Sequence, residues 1–177
     1  MATEQFREWY VRFEKSFKDT AGIRSCDFYP VKFGMTRTEL TSLFEEPDDI
    51  STGQEPEIVK YDDVEFHFSK RLNYRLFLIF SEEDKHNFSV FGELELYLKL
   101  EELCESLTNG EHSRLFSIGH NLIADFEKTG MNRQTAWNTI HALYMKYHHA
   151  DDEPRIDLVA DWLDCICGYI GKHLILY

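Results

Sequence analysis

Histidine and cysteine are the side chains of this chain that could carry nucleophilic, acid–base or metal chemistry. Eight histidines fall at positions 67, 86, 112, 120, 141, 148, 149 and 173, and four cysteines at 26, 104, 165 and 167. A transition-metal site needs three or four ligands at short, defined spacings, and these positions form no such set. His148 and His149, followed by Asp151 and Asp152, come nearest; adjacent residues on a helix point in different directions, so helix-end capping and dipole compensation are the simpler role. Cys165 and Cys167 are separated by a single residue and do not face each other on a helix, which predicts buried apolar side chains rather than zinc ligands or a redox pair. A thiol and imidazole pair drawn from His120, His141, Cys104 and Cys165 would have to converge within hydrogen-bond reach. There is no glycine loop that cradles phosphate, no serine nucleophile elbow and no HExxH. The expectation is a protein that is not an enzyme and holds no metal or cofactor.

Carboxylates offer a different kind of site. They group as Glu45, Glu46, Asp48 and Asp49; Asp62, Asp63 and Glu65; Glu82, Glu83 and Asp84; Glu101, Glu102 and Glu105; and Asp151, Asp152 and Glu153. Any one group is ordinarily a solvated surface. Several together form a field that can steer and neutralise a basic partner, and the groups at 45–49, 62–65, 82–84 and 151–153 are the expected partner-binding positions. Nineteen Lys and Arg stand against 32 Asp and Glu, a formal net charge of −13. That sign opposes wrapping a nucleic-acid backbone, so no direct nucleic-acid contact is expected.

The chain has 177 residues, 43% hydrophobic and 15% aromatic, which is enough to build a core and excludes disorder or a disulfide miniprotein as the global state. The N-terminal MATEQFREWYVRFEKSF has no apolar run of signal-peptide length, and nothing later approaches a bilayer span. A cytoplasmic protein with reduced thiols and no membrane contact is the expectation.

Elements follow from periodicity. Phe6, Trp9, Tyr10, Phe13 and Phe17 recur at spacings of three and four, the pattern of a helix over 3–19 that Gly22 would stop. Asp27–Phe33 alternates as a short strand or extended segment. Thr36 with Glu39 forms the signature of a capping box, Leu40, Leu43 and Phe44 face inward, and Pro47 ends that helix. Between Pro56 and Glu82 the period becomes two: VEFHF at 64–68 and RLFLIF at 75–80 predict an antiparallel hairpin around the polar turn Lys70–Asn73. Four helices are expected after Gly92, at 92–108, 113–129, 132–149 and 154–171, punctuated by Asn109–Gly110, Gly130 with Asn132 as a cap, and the acidic loop before Pro154. The fold class is α+β: an N-terminal helix plus a small antiparallel sheet over 1–91, then a helical bundle over 92–177, packed together without a flexible linker.

VKFGMTRTELTSLFEEPDDIST at 31–52, VKYDDVEFHF at 59–68 and RLFLIF at 75–80 resemble a small bacterial α+β module. In that module a Gly-Met-Thr-x-x-Glu-Leu helix ends in a Pro-Asp turn before two hydrophobic strands. The run ADWLDCICGY at 160–169 is similar to the end of small helical bacterial immunity proteins, which often close on Leu-Asp-x-Ile-x-Gly. Taken together the chain resembles the immunity protein of a bacterial toxin and immunity pair, of the kind found in contact-dependent growth inhibition. That resemblance implies a cytosolic protein that binds and blocks a cognate toxin domain, commonly a nuclease. A small regulatory or ligand-binding domain, with an apolar pocket between helices and hairpin, is the rival expectation.

Overall fold

In the computed structural model, residues 4–19, 30–44, 46–83, 85 and 87–168 are described. The chain divides into two compact units, Met1–Leu94 and Glu95–Tyr177, and its class is α+β. None of the described helices is long and apolar enough to cross a membrane.

The first unit is built on a five-stranded antiparallel meander, β1 (Asp49–Ser51), β2 (Glu57–Tyr61), β3 (Val64–Ser69), β4 (Arg75–Ser81) and β5 (Asn87–Ser89), with spatial order equal to chain order. Alternation decides which face is buried. Val59, Phe66, Ile79 and Phe88 are opposite one another on successive strands and are at most 5% exposed. Against this face lie α1 (Glu4–Asp19) and α2 (Arg37–Leu43). Phe6 and Trp9 approach the Phe66 ring at 6.1 and 5.8 Å between centroids, and Phe13 meets Phe88 edge-on at 5.0 Å. Each such fully buried ring contributes roughly 1.5–3 kcal/mol of transfer free energy, so α1 is held by its apolar stripe. Its other side is free to be polar.

The capping box at α2 forms as expected: Thr36 Oγ1 accepts from the Glu39 N–H at 3.2 Å while the Thr36 N–H donates to Glu39 Oε2 at 2.6 Å. Those two bonds satisfy donors that a helix start leaves orphaned; the Thr36 N–H, and then the Thr36 hydroxyl that donates to the same Oε2 at 2.8 Å, hold the Glu39 carboxyl below its ordinary range. The hairpin β3–β4 also forms, through a short 3-10 turn at Lys70–Leu72. In contrast, no strand covers 30–33, where the alternation suggested one. Pro30 lacks an amide donor, and the chain turns at Lys32–Met35 with Gly34 at a φ of +86°. Residues 27–29 of that expectation, and Gly22, lie outside the described residues.

The second unit consists of α3 (Phe91–Glu105, whose first turn belongs to unit 1), α4 (His112–Lys128), α5 (Arg133–His149) and α6 (Glu153–Cys167). Asn132 caps α5 by accepting from Thr135 N–H at 2.9 Å. Gly168 ends α6 at a φ of +78°, its N–H bonded to Asp164 O at 2.9 Å. The helix ends at Cys167 because glycine takes the left-handed conformation without penalty; residues 169–171 of the expected span lie outside the described residues.

One close approach organises this unit. Trp162 of α6 is fully buried and donates its Nε1–H to Phe116 O of α4 at 3.1 Å. It can do so because Gly119 has no side chain: a Cβ there would sit 2.3 Å from the Trp162 ring. Gly119→Ala should gain up to about 1 kcal/mol in helix propensity and lose roughly 1–3 kcal/mol to overpacking. The expected net result is a lower urea midpoint with a changed near-UV tryptophan signal; a midpoint raised by the substitution would contradict this packing.

Candidate functional site

An antiparallel meander returns alternate chain ends to the same edge, and here those ends are acidic. Glu46 and Asp48 lead into β1, Asp62 and Asp63 form the β2–β3 turn, and Glu82 and Glu83 follow β4. Register places Asp49 opposite Lys60 and Lys60 opposite Glu65, so three clusters that are separate in sequence meet at one end of the sheet. Eight described carboxylates, Glu46, Asp48, Asp49, Asp62, Asp63, Glu65, Glu82 and Glu83, share this end with the cations Arg7, Lys60 and Lys85.

The turns are fixed by hydrogen bonds. Asp48 Oδ2 accepts from the Asp62 N–H at 2.8 Å, tying the entry of β1 to the β2–β3 turn. Ser81 Oγ donates to Asp63 Oδ2 at 3.0 Å, and Glu82 N–H donates to Asp63 O at 2.8 Å, tying that turn to the exit of β4. Arg7 of α1 reaches Asp62 Oδ2 at 2.6 Å. Lys60 Nζ lies 2.6 Å from Glu82 Oε2. That contact is the main reason the Glu82 carboxyl titrates below its ordinary value and the Lys60 ammonium above its own, with Glu65 and Asp49 adding to the field on Lys60. Glu65 is also engaged by His67, Nε2 to Oε2 at 2.8 Å. Beneath this surface Tyr61 is 3% exposed, and its hydroxyl has no hydrogen-bond partner. Burial, and then the charge of Asp48, push its pKa up to about 12.

Of the expected partner-binding residues, Glu45 and Asp84 lie outside the described residues. Glu46, Asp48, Asp49, Asp62, Asp63, Glu65, Glu82 and Glu83 converge as described. Asp151, Asp152 and Glu153 belong to the second unit and start a helix there: Asp152 accepts from Arg155 N–H, and its carboxylate pairs with the Arg155 guanidinium. Arg155 in turn donates to Cys104 O at 2.8 Å. Nothing in the sequence marks Lys60, Tyr61 or Arg7 as members of this end: strand register places the first two and the contact of α1 with the β2–β3 turn places Arg7.

The candidate chemistry of the second unit is held in packing. Cys104 and Cys165 are fully buried, and burial pushes each thiol up to about 12, the opposite of an activated nucleophile. Cys165 Sγ is bonded to Asp161 O of its own helix at 3.2 Å. His141 stacks on Trp137 at 4.5 Å and 12° and approaches Tyr144 at 6.1 Å, while His120 lies 6.0 Å from the Phe116 ring. Among the described residues no group of three or more His, Cys, Asp and Glu is arranged to hold a metal ion. No family model, curated protein or solved structure matches the chain.

Lys60 is the testable centre of the acidic end. Glu82 has a lowered folded pKa, so its contribution is present above the ordinary carboxylate value of 4.5 and lost as pH falls through the folded value. Lys60, raised from 10.5, contributes below that value and loses its contribution as pH rises through the folded one. Lys60→Met should therefore destabilise the protein at neutral pH by urea unfolding, and the difference from wild type should shrink at acid pH once the carboxylates are protonated. A difference that does not change with pH would show that the lysine acts only through its aliphatic stem.

Proposed function

We propose that the chain is an immunity protein that acts in the cytosol, binding a basic toxin domain one-to-one and blocking its active site or its access to substrate. The observation that carries this reading is the convergence of three carboxylate clusters at one end of a five-stranded sheet. A patch with a net excess of one sign, here eight described carboxylates against Arg7, Lys60 and Lys85, raises the encounter rate with a partner of opposite sign and rejects like-charged surfaces. A nuclease domain, whose substrate cleft must be basic to meet phosphates, is the partner class that suits it best. The resemblance of residues 30–82 to a small bacterial α+β module, and of residues 160–169 to the end of small helical bacterial immunity proteins, supports the same reading. Inhibition of this kind needs no reacting group on the inhibitor; it needs a surface that a substrate-binding cleft prefers to its own substrate.

The test pairs the chain with the C-terminal domain of the toxin encoded immediately upstream. Co-expression should rescue growth, and calorimetry should give a one-to-one complex. Replacing the exposed Glu46, Asp49 and Glu83 together by Lys should slow association roughly 10- to 100-fold at low salt and flatten its salt dependence. Replacing Asp151 and Glu153 by Lys should change it far less. Unchanged association in both variants would count against electrostatic recognition, and absence of both binding and rescue would overturn the reading.

A further inference from the structure

The register of the sheet produces two rows that run across all five strands and stop at β1. The first is apolar: Ile50 faces Val59, Val59 faces Phe66, Phe66 faces Ile79 and Ile79 faces Phe88. Every member is buried except Ile50, which is 44% exposed. The neighbouring row, on the other face, alternates in charge over its first three strands, where Asp49 faces Lys60 and Lys60 faces Glu65, and continues through Phe80 and Asn87. Among the described residues no strand pairs with the outer side of β1. Edge strands are ordinarily blunted by shortness, charged side chains, proline or a bulge. β1 is three residues long and carries one charge, that of Asp49; it holds no lysine or proline, its three pairs with β2 are in unbroken register, and Asp48, Asp49, Ile50 and Thr52 are all exposed.

On the reading of the chain as an inhibitor of a basic protein, we infer that β1 receives an extended segment of that partner as a sixth strand, with an apolar residue beside Ile50 and a Lys or Arg beside Asp49. Strand addition supplies affinity through main-chain hydrogen bonds and specificity through alternate side chains. An apolar residue at the first position continues the row of Val59 and Phe66 and covers the exposed flank of Ile50. A cation at the second continues the alternation of Asp49, Lys60 and Glu65, since opposite charges directly across a sheet attract and like charges repel. A second copy of this chain is the wrong occupant: its net charge of −13 and its own acidic sheet end oppose the approach.

The inference is tested without any toxin, on the isotope-labelled full chain, with a capped peptide alternating Lys and Val. Two control peptides accompany it, one alternating Glu and Val and one with proline replacing the central Val. The Lys-Val peptide should shift and protect from exchange the amides of Asp49–Ser51, and bind tighter than either control by on the order of tenfold. Asp49→Lys should reverse the preference toward the Glu-Val peptide, and Ile50→Ser should weaken both; should β1 fray in these variants, the three peptides on the wild-type chain decide. Equal binding of the proline-containing peptide would reduce the contact to charge alone and overturn strand addition, as would shifts confined to other surfaces or no binding. Failure of growth rescue would remove the toxin reading by itself, whereas peptide docking at β1 would still stand as recognition of basic strands.

Discussion

The pairing of Val59, Phe66, Ile79 and Phe88 in one cross-strand row is the constraint from which the first unit follows. Side chains alternate faces with a period of two, so a slip of one residue at any strand would move that strand's apolar set out of the core and its charged set in. Burial of these residues, together with the rings of Phe6, Trp9 and Phe13, makes that slip costly. With the register held, the placement of Asp49, Lys60 and Glu65 in the adjoining row is no longer a choice. Charge at the sheet end is thus positioned by packing, and the hydrogen bonds of Asp48, Asp63 and Ser81 refine what the core has already set.

Like charges brought together this way repel, and the structure offsets this locally. Lys60 stands among Asp49, Glu65 and Glu82, Arg7 extends from α1 to Asp62, and His67 engages Glu65. Glu46 and Glu83 remain exposed toward solvent. An excess of negative charge held on short, hydrogen-bonded turns is better preorganised for a partner than the same charge on a loose tail, because less side-chain and loop entropy is lost on binding. The second unit shows a different use of acids. Asp152 caps a helix, and Glu105 accepts from the Tyr147 hydroxyl at 2.9 Å and lies 3.4 Å from Lys146 Nζ. There the carboxylates join α3, α5 and α6.

Local signals explain which parts were legible from the chain. The α1 stripe, the Thr36–Glu39 capping box, the β3–β4 hairpin and the helix cap at Asn132 each depend on residues within about one or two turns of one another, and each appears where its residues stand. β1 and β5 have three residues each, too short for an alternation to declare itself, and they exist because β2 and β4 offer them edges to pair with. The acids were visible as five groups, but which of them meet was not. That depends on register between strands, a property of pairs remote in sequence. For the same reason the sequence does not distinguish Asp151–Glu153 from the other groups, although Asp152 serves a helix start, and nothing in it marks Lys60 or Tyr61.

Interstrand nuclear Overhauser effects between backbone protons test the central claim most directly, since they read register without reference to side-chain chemistry. The account requires contacts that link Ile50 with Val59, Val59 with Phe66, Phe66 with Ile79 and Ile79 with Phe88. Contacts pairing Ile50 with Lys60, or Val59 with Glu65, would mean a one-residue slip; the acidic row would then turn to the opposite face, and the charged sheet end would not exist as described.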